Sequence, residues 1–469
     1  MSAVSPLWLI DRSRIETGTQ QCAWQRYLGY HFGPSGYGIS RKAESLPLTT
    51  GSAVHVGTQL LGEWARQHPE AETLPLEVIR EAAATARSQY EQRARARGLV
   101  GFAEPERIEQ IVGEQSSLIG GLIWCCGLEF FPWLLQSYQV IEVETEEVYV
   151  VGCTCGLGDG VGTPEEHEVR DCAGIGFMSK PDLLTRARAR IDSHQYWEYK
   201  TTSRLTKAWQ EQWEVKIQFH AGVVGVEKRL GIRVDETYVV GLWKGDRREN
   251  SEGVRQQSSV CCYGYKREAK PPLHEEGWEA LWEDKSRTPQ RLDYRTWKKT
   301  PIWTADFFSG EEREKFLAGG LSPAEMEPVE YWIRWLPASI RQQQLAIVGP
   351  FNRQEVLIDG FFRELVPAER KWQSGIWEVY QALAENEFEW SAPSVQAVIS
   401  EHFQRSWACR KFGSEHSCQF VDLCFQKQGY ESPLDNGYVL RRPHHTPELD
   451  AAVRSGVIPP EDETEVEDE

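Results

Sequence analysis

Asp182 and the Glu198-x-Lys200 triplet are the side chains of this 469-residue chain best suited to chemistry. Glu198 and Lys200 stand two apart in Tyr196-Trp197-Glu198-Tyr199-Lys200, so on a strand they share one face while Trp197 and Tyr199 enter the core on the other. The preceding run, Lys180-Pro181-Asp182-Leu183-Leu184, supplies a second carboxylate. Carboxylates on adjacent strands give hard oxygen ligands for Mg²⁺ or Mn²⁺, and an ammonium beside them can serve an attacking water or the phosphate it attacks. That set suits hydrolysis of a phosphodiester, with the metal compensating most of the charge and Lys200 positioning the water or helping to deprotonate it. Taken alone, it also suits a surface hairpin that merely pairs charges.

The surrounding elements must hold these groups. Ser13 and Glu16 have capping-box spacing ahead of a helix to about residue 30, and further helices are expected near 51–67, 76–98 and 105–137. Strands are expected over 138–151, 177–186 and 194–200, then a helix near 207–230 and a strand at 237–243. The order is α, β, β, β, α, β. A strand near 343–348 and helices near 352–365 and 370–384 follow, with short helices near 275–285 and 309–318 inside a polar stretch.

On these residues the chain resembles the PD-(D/E)XK nuclease superfamily, in its RecB-like branch. Gly51-Ser52-Ala53-Val54-His55 matches that branch's Gly-x-x-x-His, and Glu144 in Val140-Ile141-Glu142-Val143-Glu144 matches its acidic strand. Gln218 matches the glutamine of its Gln-x-x-x-Tyr motif, with Gly222 standing where the family has tyrosine. The resemblance implies that His55 and Glu144 join Asp182 and Glu198 at the metal, and that Gln218 lies beside Lys200 in the catalytic set. The fold class it implies is α/β: a mixed central sheet flanked by helices, restriction-endonuclease-like, with a helical N-terminal part and insertions.

A second set consists of thiols: Cys22 on the first helix, then Cys409, Cys418 and Cys424 with spacings x8 and x5. Four thiolates hold a four-iron four-sulfur cluster or a structural Zn²⁺. The layout resembles the iron-sulfur staple of RecB-like nucleases, including the CRISPR adaptation nucleases, the AddB subunit and phage-type exonucleases, although the family's usual first late spacing is x2. Tying residue 22 to residues 409–424 would close the chain around the core. Cys153, Cys155, His167 and Cys172 are a weaker zinc set, and Cys125-Cys126 and Cys261-Cys262 read as packing residues.

The chain carries 52 Lys+Arg against 70 Asp+Glu, a formal charge of -18, so a nucleic-acid site must be a local basic groove. Arg186 to Arg190 and Lys244 to Arg248 are candidates for phosphate contacts, or else solvated charge, and Arg93 to Arg97 reads as a solvated helix face. With 40% hydrophobic residues and 19 Trp the chain can build a large core, and 11 scattered cysteines favour reduced thiols in the cytoplasm. No leader or membrane-spanning helix is expected.

The expected organisation is a nuclease domain over 1–245 and 340–425, a hairpin insertion at 151–176, an irregular insertion at 246–339, and an acidic tail at 426–469, disordered from 455. The expected activity is that of a Mg²⁺- or Mn²⁺-dependent exonuclease on DNA ends or single strands, in recombination and repair, phage replication or CRISPR adaptation, alone or with a helicase or recombination partner. The alternatives are a noncatalytic DNA-binding or scaffold protein of the same fold, or a structural zinc protein with an acidic binding surface.

Overall fold

The computed structural model describes residues 8–32, 37–43, 45–99, 105–153, 174–249, 255–257, 259–265, 328–336, 338–406, 418–424, 433–435, 437–443 and 445–458. The chain is mixed α/β. In order, its strands are β1 (Trp8–Asp11), β2 (Ile39–Arg41), β3 (Tyr138–Val143), β4 (Glu147–Cys153), β5 (Gly174–Ser179), β6 (Leu183–Ala187), β7 (Arg190–Thr202), β8 (Val234–Trp243), β9 (Arg247–Glu249), β10 (Arg255–Gln257), β11 (Leu345–Asn352) and β12 (Tyr438–Leu440).

The central sheet runs β11-β8-β7-β6-β3. Strands β3, β6 and β7 are successively antiparallel, β8 is parallel to β7, and β11 closes the edge antiparallel to β8. The parallel step requires a crossover, which the helix Ile217–Leu230 provides before ending at Gly231 in the left-handed conformation. On the opposite face lies the helix Leu46–Gln67, whose buried positions Thr50, Ala53, Val54, Gly57, Leu61 and Ala65 recur at helical spacing. It packs on β3 and β7 and on the helices Leu76–Arg97 and Pro105–Cys125. Trp197 and Tyr199 join this main core, as their strand parity predicts.

Two of the expected strands each prove to be a bent pair. The run 138–151 divides into β3 and β4, and the run 177–186 into β5 and β6. β4 and β5 leave the central sheet to form a second one of order β1-β5-β4, with β1 parallel to β5. The corners are 144–146 and 180–182. Pro181 has no N–H to continue a ladder, and Glu144 takes φ 48°, a left-handed conformation uncommon for a side chain of this kind. Each corner falls where the apolar alternation lapses, at Glu144-Thr145-Glu146-Glu147 and at Ser179-Lys180-Pro181-Asp182. The second sheet is covered by the helix Glu355–Glu385, a single 31-residue element containing Pro367 where two helices were expected.

Other departures follow from packing. Asp11, rather than Ser13, caps the first helix, accepting from the Arg14 N–H at 2.8 Å, and the helix is broken at an extended Cys22. The stretch 246–339 is not wholly a peripheral insertion: Val260–Tyr265 and Pro328–Trp335 dock on the Pro105–Cys125 helix, and Cys261, Val329 and Ile333 enter the main core. The expected helices near 275–285 and 309–318 lie outside the described residues. Nor is 426–469 simply a tail, because β12 pairs with β2 and the helix Thr446–Arg454 docks through an Arg14–Glu448 ion pair. The acidic end, 461–469, lies outside the described residues.

One run, Pro105–Ser137, is long and apolar enough to cross a membrane, contrary to expectation. Its most apolar window is 78% buried inside the molecule, which is the position of a core helix. The paired cysteines pack as expected: Cys125, Cys126, Cys261 and Cys262 are buried, and the Cys125 and Cys261 sulfurs lie 3.9 Å apart.

Candidate metal centre and active site

Both corners bring their carboxylates to the middle of the Leu46–Gln67 helix. Glu144 ends one corner, Asp182 ends the other, and the Glu144 N–H donates to the Asp182 carbonyl at 3.3 Å, joining the two. His55 Nδ1 faces both side chains, 3.2 Å from Asp182 Oδ1 and 3.6 Å from Glu144 Oε1. Gly51 lets the start of that helix approach β7, since a Cβ there would lie 3.3 Å from the Thr201 hydroxyl. Among the described residues, His55, Glu144 and Asp182 are the one set of three metal-ligating groups whose donor atoms all lie within 4.8 Å of one another. The remaining lone pairs are oriented by neighbours: the Tyr199 N–H donates to Asp182 Oδ2 at 2.5 Å, and Lys180 Nζ lies 3.0 Å from Glu144 Oε2.

The donor set fits a hard or borderline divalent ion, with two carboxylates and one imidazole suited to Mn²⁺ and tolerable for Mg²⁺. The electrostatics agree. Burial alone would depress the His55 imidazole, yet the Asp182 charge and the hydrogen bonds to Asp182 and Glu144 raise it from 6.5 to about 10. Burial would likewise raise Glu144, but His55 and Lys180 hold it below the usual carboxylate range. A site that binds a proton so firmly favours any cation there. Asp182 and Glu144 keep only 8% and 9% of their side chains exposed, whereas His55 keeps 29%, which leaves an approach from solvent.

A prediction about pH follows. Because the folded-state value of His55 is raised, its ion pair stabilises the metal-free chain fully below about pH 6.5, and that contribution is lost as pH rises through about 10. The melting temperature of metal-free protein should therefore fall over this interval by more than that of His55→Gln. Metal requires the neutral imidazole, so Mn²⁺ binding should release close to one proton at pH 7, read by calorimetry in buffers of different ionisation enthalpy. Parallel melting curves for wild type and His55→Gln, with no proton release, would contradict it.

Glu198 stands apart from this set. The pairing of Leu183 with Trp197 puts Asp182 opposite Glu198 when continued by one residue, as expected for neighbours on one face. The Glu198 oxygens are nevertheless turned to other partners: Arg12 Nη1 at 3.2 Å and Lys200 Nζ on Oε1, and the Tyr196 hydroxyl at 3.3 Å on Oε2. Glu198 is thus buried beside the metal set, held by cations, and is not one of the three converged ligands. Lys200 keeps the place expected for it, on the same face as Glu198 with 20% of its side chain exposed.

Gly222, where the family motif has tyrosine, has a structural role here. A Cβ at 222 would lie 2.5 Å from the Tyr196 hydroxyl, so glycine leaves room for a phenol that comes from β7 instead of from the helix. Burial, then the Glu198 and Asp182 charges, raise the Tyr196 phenol, which stays protonated as the donor to Glu198. Gly222→Ala should push Tyr196 off Glu198 and cost about 1–3 kcal/mol of stability from overpacking. The double variant with Tyr196→Phe should recover part of that loss in a denaturant melt, and full additivity would contradict the contact. Gln218 falls at the second position of the Ile217–Leu230 helix, where residues 217–221 lie outside the described side chains.

The thiol set is brought together in part. Cys22 and Cys424 are buried in one cluster with Cys418 packed against it, among Trp24, Tyr27, Phe403 and Phe420. Residue 22 and residues 418–424 therefore meet in one cluster. Those three sulfurs are not within the mutual 4.8 Å of a shared small ion, whereas four zinc-bound thiolates at about 2.3 Å would be. Cys409 lies outside the described residues, as do Cys155, His167 and Cys172. Cys153 ends β4, and its side chain is outside the described set.

Among the basic segments, Arg186 and Arg188 are taken up internally. Arg186 Nε donates to Gln139 on the neighbouring strand β3 at 3.0 Å, and Arg188 to the carbonyls of Leu135 and Pro69, both at 2.7 Å, so one ties two strands and the other ties the β6–β7 turn to the segments before β3. Arg95 pairs with Glu91 and Glu109 on its helix surface, in line with a solvated face. Lys244 is lowered by burial, and the side chains of 247–249 lie outside the described set. Sequence reasoning missed Arg12 altogether, since an isolated Arg in an N-terminal run carries no motif. No family model matches this chain, and a search of curated proteins finds no match to it.

Proposed function

We propose that the chain is a divalent-metal-dependent DNA nuclease that hydrolyses phosphodiester bonds at DNA ends or in single strands. The observation that carries this reading is the convergence of His55, Glu144 and Asp182 beside Glu198-x-Lys200 at the corners of the central sheet. The succession of the Leu46–Gln67 helix, β3, β6, β7, the Ile217–Leu230 helix and β8 supports a restriction-endonuclease-like core. In it, the insertion of β4 and β5 bends two of the core strands.

His55, Glu144 and Asp182 would hold Mg²⁺ or Mn²⁺, with Glu198 adjoining. The bound ion would compensate the charge that builds on the phosphoryl oxygens and favour ionisation of the attacking water. Lys200 holds the water or a phosphate oxygen by hydrogen bonding from Nζ on the open face. Tyr196 and Arg12 orient Glu198, and Tyr199 fixes Asp182 through its N–H. In the reaction the water oxygen bonds to phosphorus, the P–O bond to the departing sugar breaks, and the water proton ends on the sugar oxygen. Cys22, Cys409, Cys418 and Cys424 would hold a four-iron cluster that ties residue 22 to residues 409–424, a role supported by the packing of Cys22, Cys418 and Cys424 in one cluster. We place the enzyme in the cytoplasm, in recombination and repair, phage replication or CRISPR adaptation.

One observation favours a second reading, a noncatalytic DNA-binding relative: Glu198 is engaged by Arg12 and Lys200 instead of the ligand set. End-labelled single- and double-stranded DNA incubated with Mg²⁺ or Mn²⁺, beside Lys200→Ala and an EDTA control, separates the two. Metal-dependent fragments from wild type and few or none from Lys200→Ala support the nuclease. Equal intact DNA in every lane overturns it.

A further inference from the structure

Arg12 belongs to none of the motifs that build the metal centre. Strand β1 delivers it from the second sheet, and its Nη1 meets the same oxygen of Glu198 that Lys200 Nζ approaches. Two cations therefore converge on one carboxylate oxygen, and both are partly open to solvent, Arg12 with 33% of its side chain exposed. The other nearby carboxylate, Glu16, lies 3.9 Å from Arg12 Nε, and that Nε makes no hydrogen bond.

Charge balance points to the kind of group these cations would take. With a divalent ion on the ligand set and His55 neutral, the ion, Lys180, Lys200 and Arg12 together would exceed Glu16, Glu144, Asp182 and Glu198 by one positive charge among these groups. A single phosphodiester balances it. Glu198 Oε1 also marks where an anionic oxygen is received, because a non-bridging phosphodiester oxygen offers a guanidinium and an ammonium the same kind of acceptor.

We propose that Arg12 is a substrate-contacting residue, gripping a non-bridging oxygen of the phosphodiester under attack alongside Lys200. The inference rests on the nuclease reading for the identity of the substrate. The rival role is that Arg12 only neutralises buried Glu198, and the two roles separate experimentally.

The full-length protein, Arg12→Ala and Arg12→Lys are compared in three measurements: Mn²⁺ affinity without DNA, binding of a fluorescent 15-nucleotide thymidine oligomer in Ca²⁺ at several salt concentrations, and cleavage in Mn²⁺. Arg12→Ala should bind the oligomer about tenfold or more weakly, with a log–log salt slope shallower by about one, and keep Mn²⁺ affinity within about twofold. Arg12→Lys, which retains the charge without the fork, should recover part of the binding. Unchanged oligomer affinity in Arg12→Ala with weakened Mn²⁺ binding would overturn the contact and assign Arg12 to Glu198 alone. If wild type cuts no DNA but Arg12→Ala still loses oligomer binding, the nuclease reading fails and the phosphate contact stands. If wild type binds no oligomer, both fall.

Discussion

Asp182→Asn should remove Mn²⁺ binding and DNA cleavage together, lowering the cleavage rate by about 10³-fold or more, the scale set by losing several kcal/mol of charge stabilisation at the phosphorus. The substitution preserves volume and an oxygen acceptor for the Tyr199 N–H, so the corner between β5 and β6 should survive. What changes is charge. His55 loses the anion that contributes most to raising it, and the ion loses a ligand that is 8% exposed and cannot be replaced easily by bulk water. Calorimetric titration with Mn²⁺ and a gel assay on the same preparation check it, with a melting curve to show the fold intact. Cleavage within tenfold of wild type would exclude Asp182 from the centre.

The second large effect concerns the ends of the chain. Cys418→Ser should lower iron content, reduce the apparent melting temperature by on the order of 10 °C, and open both termini to protease. Cys418 is partly exposed, so a hydroxyl there carries little desolvation penalty, and a large loss would report on a bound group instead of packing. Anaerobic purification followed by iron analysis, visible absorption and limited proteolysis gives the readout. Unchanged iron would remove Cys418 from the ligand set, and a colourless protein with one zinc per chain would replace the cluster with the simpler ion.

Part of the candidate site was legible because Glu198 and Lys200 are neighbours in sequence. Glu198 and Lys200 declare a shared face through strand alternation, and the packing of Trp197 and Tyr199 on the opposite face enforces it. His55 and Glu144 were legible only through their likeness to a family pattern. The corners that aim Glu144 and Asp182 were not, although the alternation lapses at both, because the β-rich residues on either side read as one continuous run. Arg12 and the reciprocal fit of Gly222 with Tyr196 were invisible for a different reason: both depend on contacts between elements far apart in the chain. The same holds for the C-terminal helix. His445 and the Thr446 N–H grip Glu146, the residue at the foot of the Glu144 corner, at 2.5 and 2.9 Å, so a segment that composition reads as tail helps to fix a ligand.

Crystals soaked in Mn²⁺ and measured for anomalous scattering test the central arrangement most directly. One strong peak bonded to His55 Nδ1 and to oxygens of Glu144 and Asp182 is the predicted result, with Glu198 either joining it or remaining on Arg12 and Lys200. No peak at these three residues, or a peak bound elsewhere on the chain, would contradict the account.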